Sequence, residues 1–292
     1  VDVTLTLEYR VRADLSELDE APPVVAIVVD VPAGSTVALD GEPLELDGSG
    51  HAEKRYPLDA KEPSGPNPVL EHEVSYRVAP PDGEPASGKV RTRIPYATLQ
   101  IDRPGDEAIT DEDTIEIAGA VHEDASVTID DREAKVTEGR FLYEYPLSEV
   151  GTYEPTVVAK RPSRAPRRRT IVIRRVEDLE EEADSFAADP ELDYARISQN
   201  PNIYKGRKVE LVGRVYNARI EGGEGMLQML VRDCPRSKCP LWVTYPAAAE
   251  PRVDSWVRVL GEVAGEQQFR AESGEIMTVP RIEASFVLPA ER

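Results

Sequence analysis

The stretch Tyr204-Lys-Gly-Arg-Lys-Val-Glu-Leu-Val-Gly-Arg-Val-Tyr216 decides the fold of the last third of the chain. Its apolar residues largely alternate with polar ones, which is the pattern of a half-buried β-strand. Gly213 lies inside this strand, and an internal glycine often marks a sharp bend. A long, bent first strand can belong to both halves of a small barrel. The stretch therefore predicts the opening of a closed, five-stranded β-barrel.

Four more strand patterns follow the opening one. Together the five candidates are 208–220, 226–232, 241–245, 255–264 and 277–288. The turn Glu221-Gly-Gly-Glu-Gly joins the first two, and its glycines Gly222 and Gly223 predict a mobile rim loop. The phrase Asn200-Pro-Asn-Ile-Tyr-Lys-Gly, before the first strand, resembles the entry to bacterial cell-envelope OB-like domains. That resemblance covers about 190–290 and implies a fold without naming a ligand.

Residues 1–176 predict two β-sandwiches in succession. Short strands begin with an alternating run over 1–11 and are separated by Pro/Gly turns, which is typical of an immunoglobulin-like sandwich over 1–96. The pattern restarts at 97, with Thr114-Ile-Glu-Ile-Ala-Gly, Ala125-Ser-Val-Thr-Ile and Gly139-Arg-Phe in order. This succession over 97–176 resembles bacterial Ig-like modules, including those attached to secreted glycoside hydrolases. It implies a fold and no activity.

A helix is predicted between the second sandwich and the barrel. Leu179, Ala183 and Phe186 recur at helical spacing within 177–187, and Pro190 ends the segment. The predicted fold class is thus mainly all-β. Its parts are Ig-like sandwiches at 1–96 and 97–176, a helical linker at 177–202 and an OB-like barrel at 203–292.

Charge is distributed unevenly along the chain. There are 55 Asp and Glu residues against 35 Lys and Arg, for a formal net charge of -20. Residues 205–292 nevertheless carry 13 basic and 12 acidic side chains, so a partner of the barrel meets a balanced surface. An acidic chain repels nucleic acid as a whole, so we do not expect it as a partner.

Location follows from composition and from the start of the sequence. No run of about eighteen apolar residues exists, so no segment is expected to span a bilayer. The chain opens at Val1 within a strand pattern, and we expect that a signal peptide or membrane anchor preceded it. The expected location is extracytoplasmic, in the periplasm or at the cell surface, with membrane attachment only through that missing segment.

The two cysteines, Cys234 and Cys239, lie in one predicted turn between the second and third barrel strands. In an oxidising compartment they would form a disulfide that closes this loop, which is the interpretation we favour. A zinc half-site is the second interpretation, but the barrel offers no His or third Cys and zinc takes four ligands. A reduced or redox-active pair is the third.

A basic segment, Lys160-Arg-Pro-Ser-Arg-Ala-Pro-Arg-Arg-Arg, carries six positive charges in ten residues. A patch for nucleic acid or an anionic surface is one interpretation. The other, which we favour, is an exposed hairpin loop balanced by the acids of 177–184. Its arginines are Arg161, Arg164, Arg167, Arg168 and Arg169.

The outer face of the second and third barrel strands is the candidate binding site, because OB-folds bind ligands there. Tyr216, Trp242, Tyr245 and Phe269 are aromatic side chains that could stack on a sugar or base. Trp242 and Tyr245 have opposite parity on one strand, so only one of them faces outward. Core packing is the interpretation we favour for these aromatic residues, and ligand contact is the alternative. The expected contact residues are Trp242, Met229, Tyr216, Gly222 and Gly223.

No catalytic set of Ser, His and Asp, phosphate-binding glycine loop or acidic metal loop is visible in the sequence. Asp111-Glu-Asp113 and Asp130-Asp131 fit hairpin tips better than calcium ligands. We therefore expect no enzyme activity, no cofactor and no metal.

The expected function is that of an exported envelope protein whose sandwiches present a barrel to a protein or an envelope glycan. Alternatives are a nucleic-acid-binding OB-fold protein and an accessory module of a carbohydrate-active enzyme.

Overall fold

The computed structural model describes residues 9–18, 20, 22–58, 69–232, 234, 238–248, 250–270 and 274–291. It confirms the predicted fold class, because the chain is mainly β-structure with short helices and a closed five-stranded barrel. By its contacts the chain divides into two compact units. Unit 1 comprises residues 1–99, 121–139 and 158–169, and unit 2 comprises residues 100–120, 140–157 and 170–292. The domain boundaries expected from the sequence stay predictions.

The first sandwich lies in unit 1 and has two antiparallel sheets. Their orders are β1-β2-β5 and β4-β3-β6-β7. The strands are β1 (Arg10–Asp14), β2 (Val24–Asp30), β3 (Thr36–Leu39), β4 (Glu42–Leu44), β5 (His51–Pro57), β6 (Val69–Ala79) and β7 (Ala86–Pro95). Residues 1–8 of the strand predicted at 1–11 lie outside the described residues.

The core of this sandwich is formed by alternate side chains of its strands, as period-two patterning requires. These include Val25, Ile27, Val29, Val37, Leu39, Val74, Val78 and Ile94. Ala165 belongs to the same core although it comes from the basic segment, and it is fully buried. Its amide donates to the Pro95 carbonyl at 3.1 Å, and its carbonyl accepts from the Ala97 amide at 2.8 Å. The basic segment is therefore fastened to the first sandwich.

The strands of the middle region are β8 (Leu99–Arg103), β9 (Ala108–Thr110), β10 (Thr114–Val121), β11 (Ser126–Ile129), β12 (Arg132–Thr137), β13 (Arg140–Pro146), β14 (Gly151–Tyr153), β15 (Thr156–Lys160), β16 (Arg167–Thr170) and β17 (Ile173–Arg175). In unit 2, β10 pairs with β13, and β17 lies between β14 and β9. In unit 1, β11 and β12 form a hairpin whose turn residues Asp130 and Asp131 both have positive φ. This pair is thus at a hairpin tip.

Two short helices precede the barrel: α1 (Leu179–Asp184) and α2 (Tyr194–Gln199), followed by a 3-10 turn over Pro201–Tyr204. The side chain of Asp178 caps α1 by accepting from the amides of Glu180 and Glu181. The helix is shorter than the predicted 177–187, because Ala187 has a φ of 54°, which is not helical. Within the described ranges, no helix is long and apolar enough to cross a membrane.

Helix α1 is held against the barrel by apolar and ionic contacts. Its Ala183 packs in a buried cluster with Leu260 and Phe286, and Ile109 contacts the same cluster. The guanidinium of Arg258 bonds Glu210 at 2.9 Å, Asp184 at 2.8 Å and Glu180 at 3.1 Å. The hydrogen bond to Asp184 raises the pKa of Arg258, with Glu210 adding to it. One cation thus bridges three acids of unit 2, Glu180, Asp184 and Glu210, and offsets part of their charge.

The barrel consists of β18 (Lys208–Glu221), β19 (Glu224–Val231), β20 (Pro240–Pro246), β21 (Trp256–Arg270) and β22 (Ile276–Pro289). Its closed order is β18-β19-β20-β22-β21, with β20 and β22 parallel. Strand β18 pairs with β21 over Lys208–Arg214 and with β19 over Gly213–Glu221. The two pairings overlap at Gly213 and Arg214, so β18 belongs to both halves of the barrel around this glycine, as predicted. A side chain there would meet the Leu230 carbonyl.

A backbone junction within unit 2 joins the β18–β19 turn to the loop after β8. The Gly223 amide donates to the Asp102 carbonyl at 3.1 Å, and the Gly105 amide donates to the Ala247 carbonyl at 3.0 Å. The Ala247 amide in turn donates to the Gly223 carbonyl at 3.2 Å. The expected mobile rim loop is therefore an anchored turn. Long-range backbone hydrogen bonds to the 102–105 segment restrain the turn. The glycine content of the turn itself could not predict these bonds.

The junction makes a testable prediction about Gly105. A Cβ at this position would overlap the Gly223 carbonyl and approach the Ala247 amide and Pro246, all of them backbone. Gly105→Ala should therefore lower the free energy of unfolding by about 1–3 kcal/mol, as overpacking does. Urea denaturation measures this change.

Gly48→Ala is the matched control for this substitution. Apart from its chain neighbours, no atom lies within 4 Å of where a Cβ on Gly48 would stand, and its φ is not positive. This control should shift stability by no more than about 0.5 kcal/mol. Equal stability of the two variants would contradict a tight junction at Gly105.

Candidate functional site

The barrel carries a transverse row of polar and aromatic side chains on its outer face. Strand register aligns Asn217 of β18 with Gln228 of β19, Gln228 with Trp242 of β20, and Trp242 with Arg281 of β22. We call these four residues the outer-face row. Their neighbours along the strands point inward and form the barrel core: Leu227, Met229, Leu241, Val243 and Ile282. The row therefore crosses four strands on the side away from the core, although Gln228 is only 7% exposed and its neighbours Asn217 and Trp242 are the more accessible members.

The centre of the row is aromatic. Trp242 is partly exposed, and its ring lies 5.6 Å from the ring of Phe269, centroid to centroid, at an angle of 42°. Phe269 comes from β21, on the segment of the β21–β22 hairpin that extends beyond the barrel. The contact packs one side of the indole and leaves part of it open to solvent. It forms a fixed apolar surface between polar neighbours.

Hydrogen bonds orient the polar members of the row. The Asn217 Nδ2 donates to Gln228 Oε1 at 3.1 Å. The Arg281 Nη2 donates to Glu283 Oε1 at 3.0 Å and to Thr244 Oγ1 at 3.4 Å. The Arg281 side chain is 30% exposed, so it can also donate outward. The site thus offers amide and guanidinium donors beside carboxylate acceptors.

The structure distributes the predicted contact residues among three environments. Trp242 lies on the outer face, whereas Met229 is fully buried in the barrel core and offers nothing to a ligand. The face assignment of Met229 was wrong because it alternates with Gln228 on β19. Gly222 and Gly223 form the anchored turn, with φ angles of 61° and 86°. Both values suit a type I′ hairpin.

Tyr216 lies at a β-bulge, where the β18 register shifts between Val215 and Asn217. It is 37% exposed, and burial of the rest raises the pKa of its phenol. Tyr245 packs inside the barrel, where burial also raises its pKa. The parity argument is therefore confirmed: of Trp242 and Tyr245, only the indole faces outward. The sequence alone missed Asn217, Gln228 and Arg281, which register alone brings together.

The structure contains the predicted disulfide between Cys234 and Cys239, with their Cα atoms 6.0 Å apart. Cys239 is buried in the barrel core, and Cys234 packs against it. The bridge closes the connection between β19 and β20, and Cys239 lies three residues before Trp242. A disulfide leaves no thiolate to ligate zinc and is not a reduced pair, so those two interpretations do not describe this structure.

The basic segment forms the connection from β15 to β16 in unit 1. Arg161 bonds Asp124 Oδ1 at 2.7 Å. The acids expected to balance the segment instead pair within unit 2, Glu180 and Asp184 with Arg258, and Glu182 with Arg174 at 2.7 Å. That part of the favoured interpretation was wrong.

The acidic clusters and histidines considered as metal ligands or catalytic groups each have structural contacts among the described residues. No group of three or more His, Cys, Asp or Glu side chains there is arranged to hold a metal ion. Asp111 accepts from the Leu179 amide at 3.4 Å, near the start of α1. His51 and His122 each bond a neighbouring aspartate at 2.7 Å, while His72 packs against Tyr56. These contacts account for the residues structurally.

Comparison with known proteins gives only fold-level likeness. No protein-family model and no curated protein match the chain. Among solved structures, the fibronectin(III)-like modules of Clostridium thermocellum CbhA share 12% identity, covering 53% of this chain and 86% of theirs, with a TM-score of 0.23. Domains 4–9 of the surface layer protein SbsC share 8%, covering 94% and 47%, with a TM-score of 0.21.

The Bacteroides ovatus glucan-utilisation protein SGBP-B, solved with a mixed-linkage heptasaccharide, shares 9% identity. The match covers 90% of this chain and 63% of that one, with a TM-score of 0.17. Likeness at this level does not extend to function, which has to be argued from the site itself.

The disulfide makes a prediction about stability. Replacing both cysteines with serine should lower the free energy of unfolding by about 1–3 kcal/mol, because the bridge closes a short loop and restrains little chain entropy. Urea denaturation of the oxidised parent and the double variant measures the difference. Titration of the denatured, unreduced parent should find no free thiol, and two free thiols would contradict the bridge.

Proposed function

We propose that the chain is a non-enzymatic envelope protein whose barrel binds a glycan across the outer-face row. The observation that carries this proposal is the row itself, in which an indole stands between amide and guanidinium groups. A sugar ring has an apolar C–H face and a rim of hydroxyls. The C–H face packs on an aromatic surface such as Trp242, and the hydroxyls exchange hydrogen bonds with accessible groups such as Asn217 and Arg281.

The charges around the row favour a neutral ligand. Arg281 lies 3.0 Å from Glu283 and 4.0 Å from Glu224, so its charge is locally compensated. A single-stranded nucleic acid would need a basic groove as well as stacking rings. Residues 205–292 carry nearly equal numbers of acidic and basic groups. A neutral or N-acetylated glycan meets these conditions better than a polyanion does.

Barrel closure bears on the protein-binding alternative. A partner strand adds to a sheet only where backbone groups at an edge are free. The described strands of the barrel close through the parallel pairing of β20 with β22. Strand addition within the closed part of the barrel therefore has no open edge to use, and the pairing beyond it is confined to the β21–β22 hairpin. This favours recognition by side chains of the outer face.

An extracytoplasmic location fits the disulfide, since such bridges persist in oxidising compartments and are rare in the cytosol. The two Ig-like sandwiches would then act as spacers that present the barrel. An accessory module of a carbohydrate-active enzyme would use the same glycan surface. A hydrolase encoded beside this chain would favour that version of the proposal.

The test uses the protein's own tryptophans. The chain has two, Trp242 and Trp256, both partly exposed on barrel strands, and Trp256 aligns with Arg214 and not with the row. In the Trp256→Phe variant, Trp242 is the only indole and should change its fluorescence on titration with neutral or N-acetylated oligosaccharides. An array of such sugars selects the probes for this titration.

The matched pair of variants is Trp242→Ala and Trp256→Ala. We expect Trp242→Ala to weaken glycan binding at least about tenfold, or 1.4 kcal/mol, and Trp256→Ala to leave it unchanged. Urea denaturation should show that Trp242→Ala remains folded, because its side chain is outside the core. Equal loss in both variants, or tighter binding to single-stranded DNA than to any glycan, would overturn the proposal.

A further inference from the structure

A second recognition surface lies in unit 1, on four arginines of the basic segment. We call Arg164, Arg167, Arg168 and Arg169 the arginine strip; Arg161 is excluded because Asp124 binds it. Among the residues that the structure describes, none of the four has an acidic group within 4.0 Å. This is unusual in a chain where acids outnumber bases by 55 to 35.

The backbone beneath the strip is fixed. Ala165 is buried in the first sandwich core and bonded on both sides to the Pro95–Ala97 segment. The Arg164 amide donates to the Arg161 carbonyl at 3.2 Å, which closes a turn. Arg167, Arg168 and Arg169 then enter β16. The guanidinium groups therefore project from an ordered backbone, and a ligand need not order the chain before it binds.

Strand geometry spreads these charges along a line. In a β-strand, residues two apart lie on one face about 6.6 Å apart, so Arg167 and Arg169 form a pair and Arg168 faces the other side. Strand β16 is the edge of its sheet, beside β15. A linear ligand that follows this edge can meet Arg167 and Arg169 on one face of the strand, with Arg168 on the other face.

Basic residues also lie on another edge strand of unit 1, and there each of them is paired with an acid. Strand β7 ends its sheet and carries Lys89, Arg91 and Arg93. The first two pair with Glu73, at 2.5 and 2.6 Å, and Arg93 pairs with Glu71 at 3.1 Å. Charges that discourage edge-to-edge pairing are thus compensated at β7. Those of the arginine strip are not.

We propose that the arginine strip binds a linear phosphate polymer in solution. Guanidinium groups bind phosphate oxygens through paired, charge-assisted hydrogen bonds. No large apolar side chain is exposed on the described residues between 158 and 170, so nothing there stacks on bases or enters a bilayer. The remaining acidic charge of the chain is screened beyond about 8 Å at physiological salt.

The experiment measures binding of the full chain to short-chain inorganic polyphosphate. The parent should bind it, and affinity should fall about 50-fold between 50 and 200 mM salt if four phosphates are engaged. The triple variant Arg167→Gln, Arg168→Gln, Arg169→Gln should bind at least about tenfold more weakly. A matching triple Arg→Lys variant should retain part of the affinity, since it keeps charge but loses the paired geometry.

The control removes the same three charges from the other edge strand: Lys89→Gln, Arg91→Gln, Arg93→Gln. This variant should bind polyphosphate like the parent. Equal weakening in both triple variants would overturn the proposal, because net charge alone would then explain the binding. Tighter binding of vesicles containing phosphatidylglycerol, or of single-stranded oligo-dT, would also overturn it. Neither outcome affects the proposal for the outer-face row, because the glycan titration tests that proposal separately.

Discussion

The arrangement of unit 2 depends on backbone hydrogen bonds at the turn between β18 and β19. Asp102, Gly105, Gly223 and Ala247 are joined there through main-chain groups. Such groups have to be paired when they leave water, so the junction has one favourable geometry and little room for slippage. Helix α1 adds a second attachment by apolar packing, with Ile109 and Phe286 in one cluster. Two contacts of different chemistry thus hold the barrel to the β8–β10 region of unit 2.

This attachment explains why recognition would rest on strands rather than on loops. The turn at Gly222 and Gly223 cannot readily change shape around a ligand, because backbone hydrogen bonds from Gly223 hold it in the junction. The outer-face row is carried by paired strands, and hydrogen bonds orient Asn217 and Arg281 in advance. A rigid platform loses little conformational entropy on binding. It also selects by shape, because it cannot remodel itself around an unsuitable ligand.

Local pattern predicted most of the fold, because alternation and turn residues act over a few positions. The barrel strands, the bend at Gly213 and the opposite parity of Trp242 and Tyr245 all follow from spacing along one strand. Met229 was wrongly placed on the outer face because its apolar character was given more weight than its position in the strand. It directly follows Gln228, so the two side chains face opposite sides of β19. The junction and the row depend on which strands pair and in what register, which no single stretch encodes. The same holds for α1, whose Glu180 and Asp184 pair with Arg258 from a strand more than seventy residues away.

The position of Ala165 has a consequence for the order in which the chain folds. Its methyl group fills part of the first sandwich core, yet it leaves the ribosome only after 97–157 has been made. Contacts between distant positions close late, because the intervening chain first has to lose entropy. The first sandwich therefore emerges with its Tyr96 end uncapped and is completed by a segment that belongs, in sequence, to the next module. The first sandwich core is therefore complete only after residue 165 has been synthesised, about seventy residues beyond its last strand.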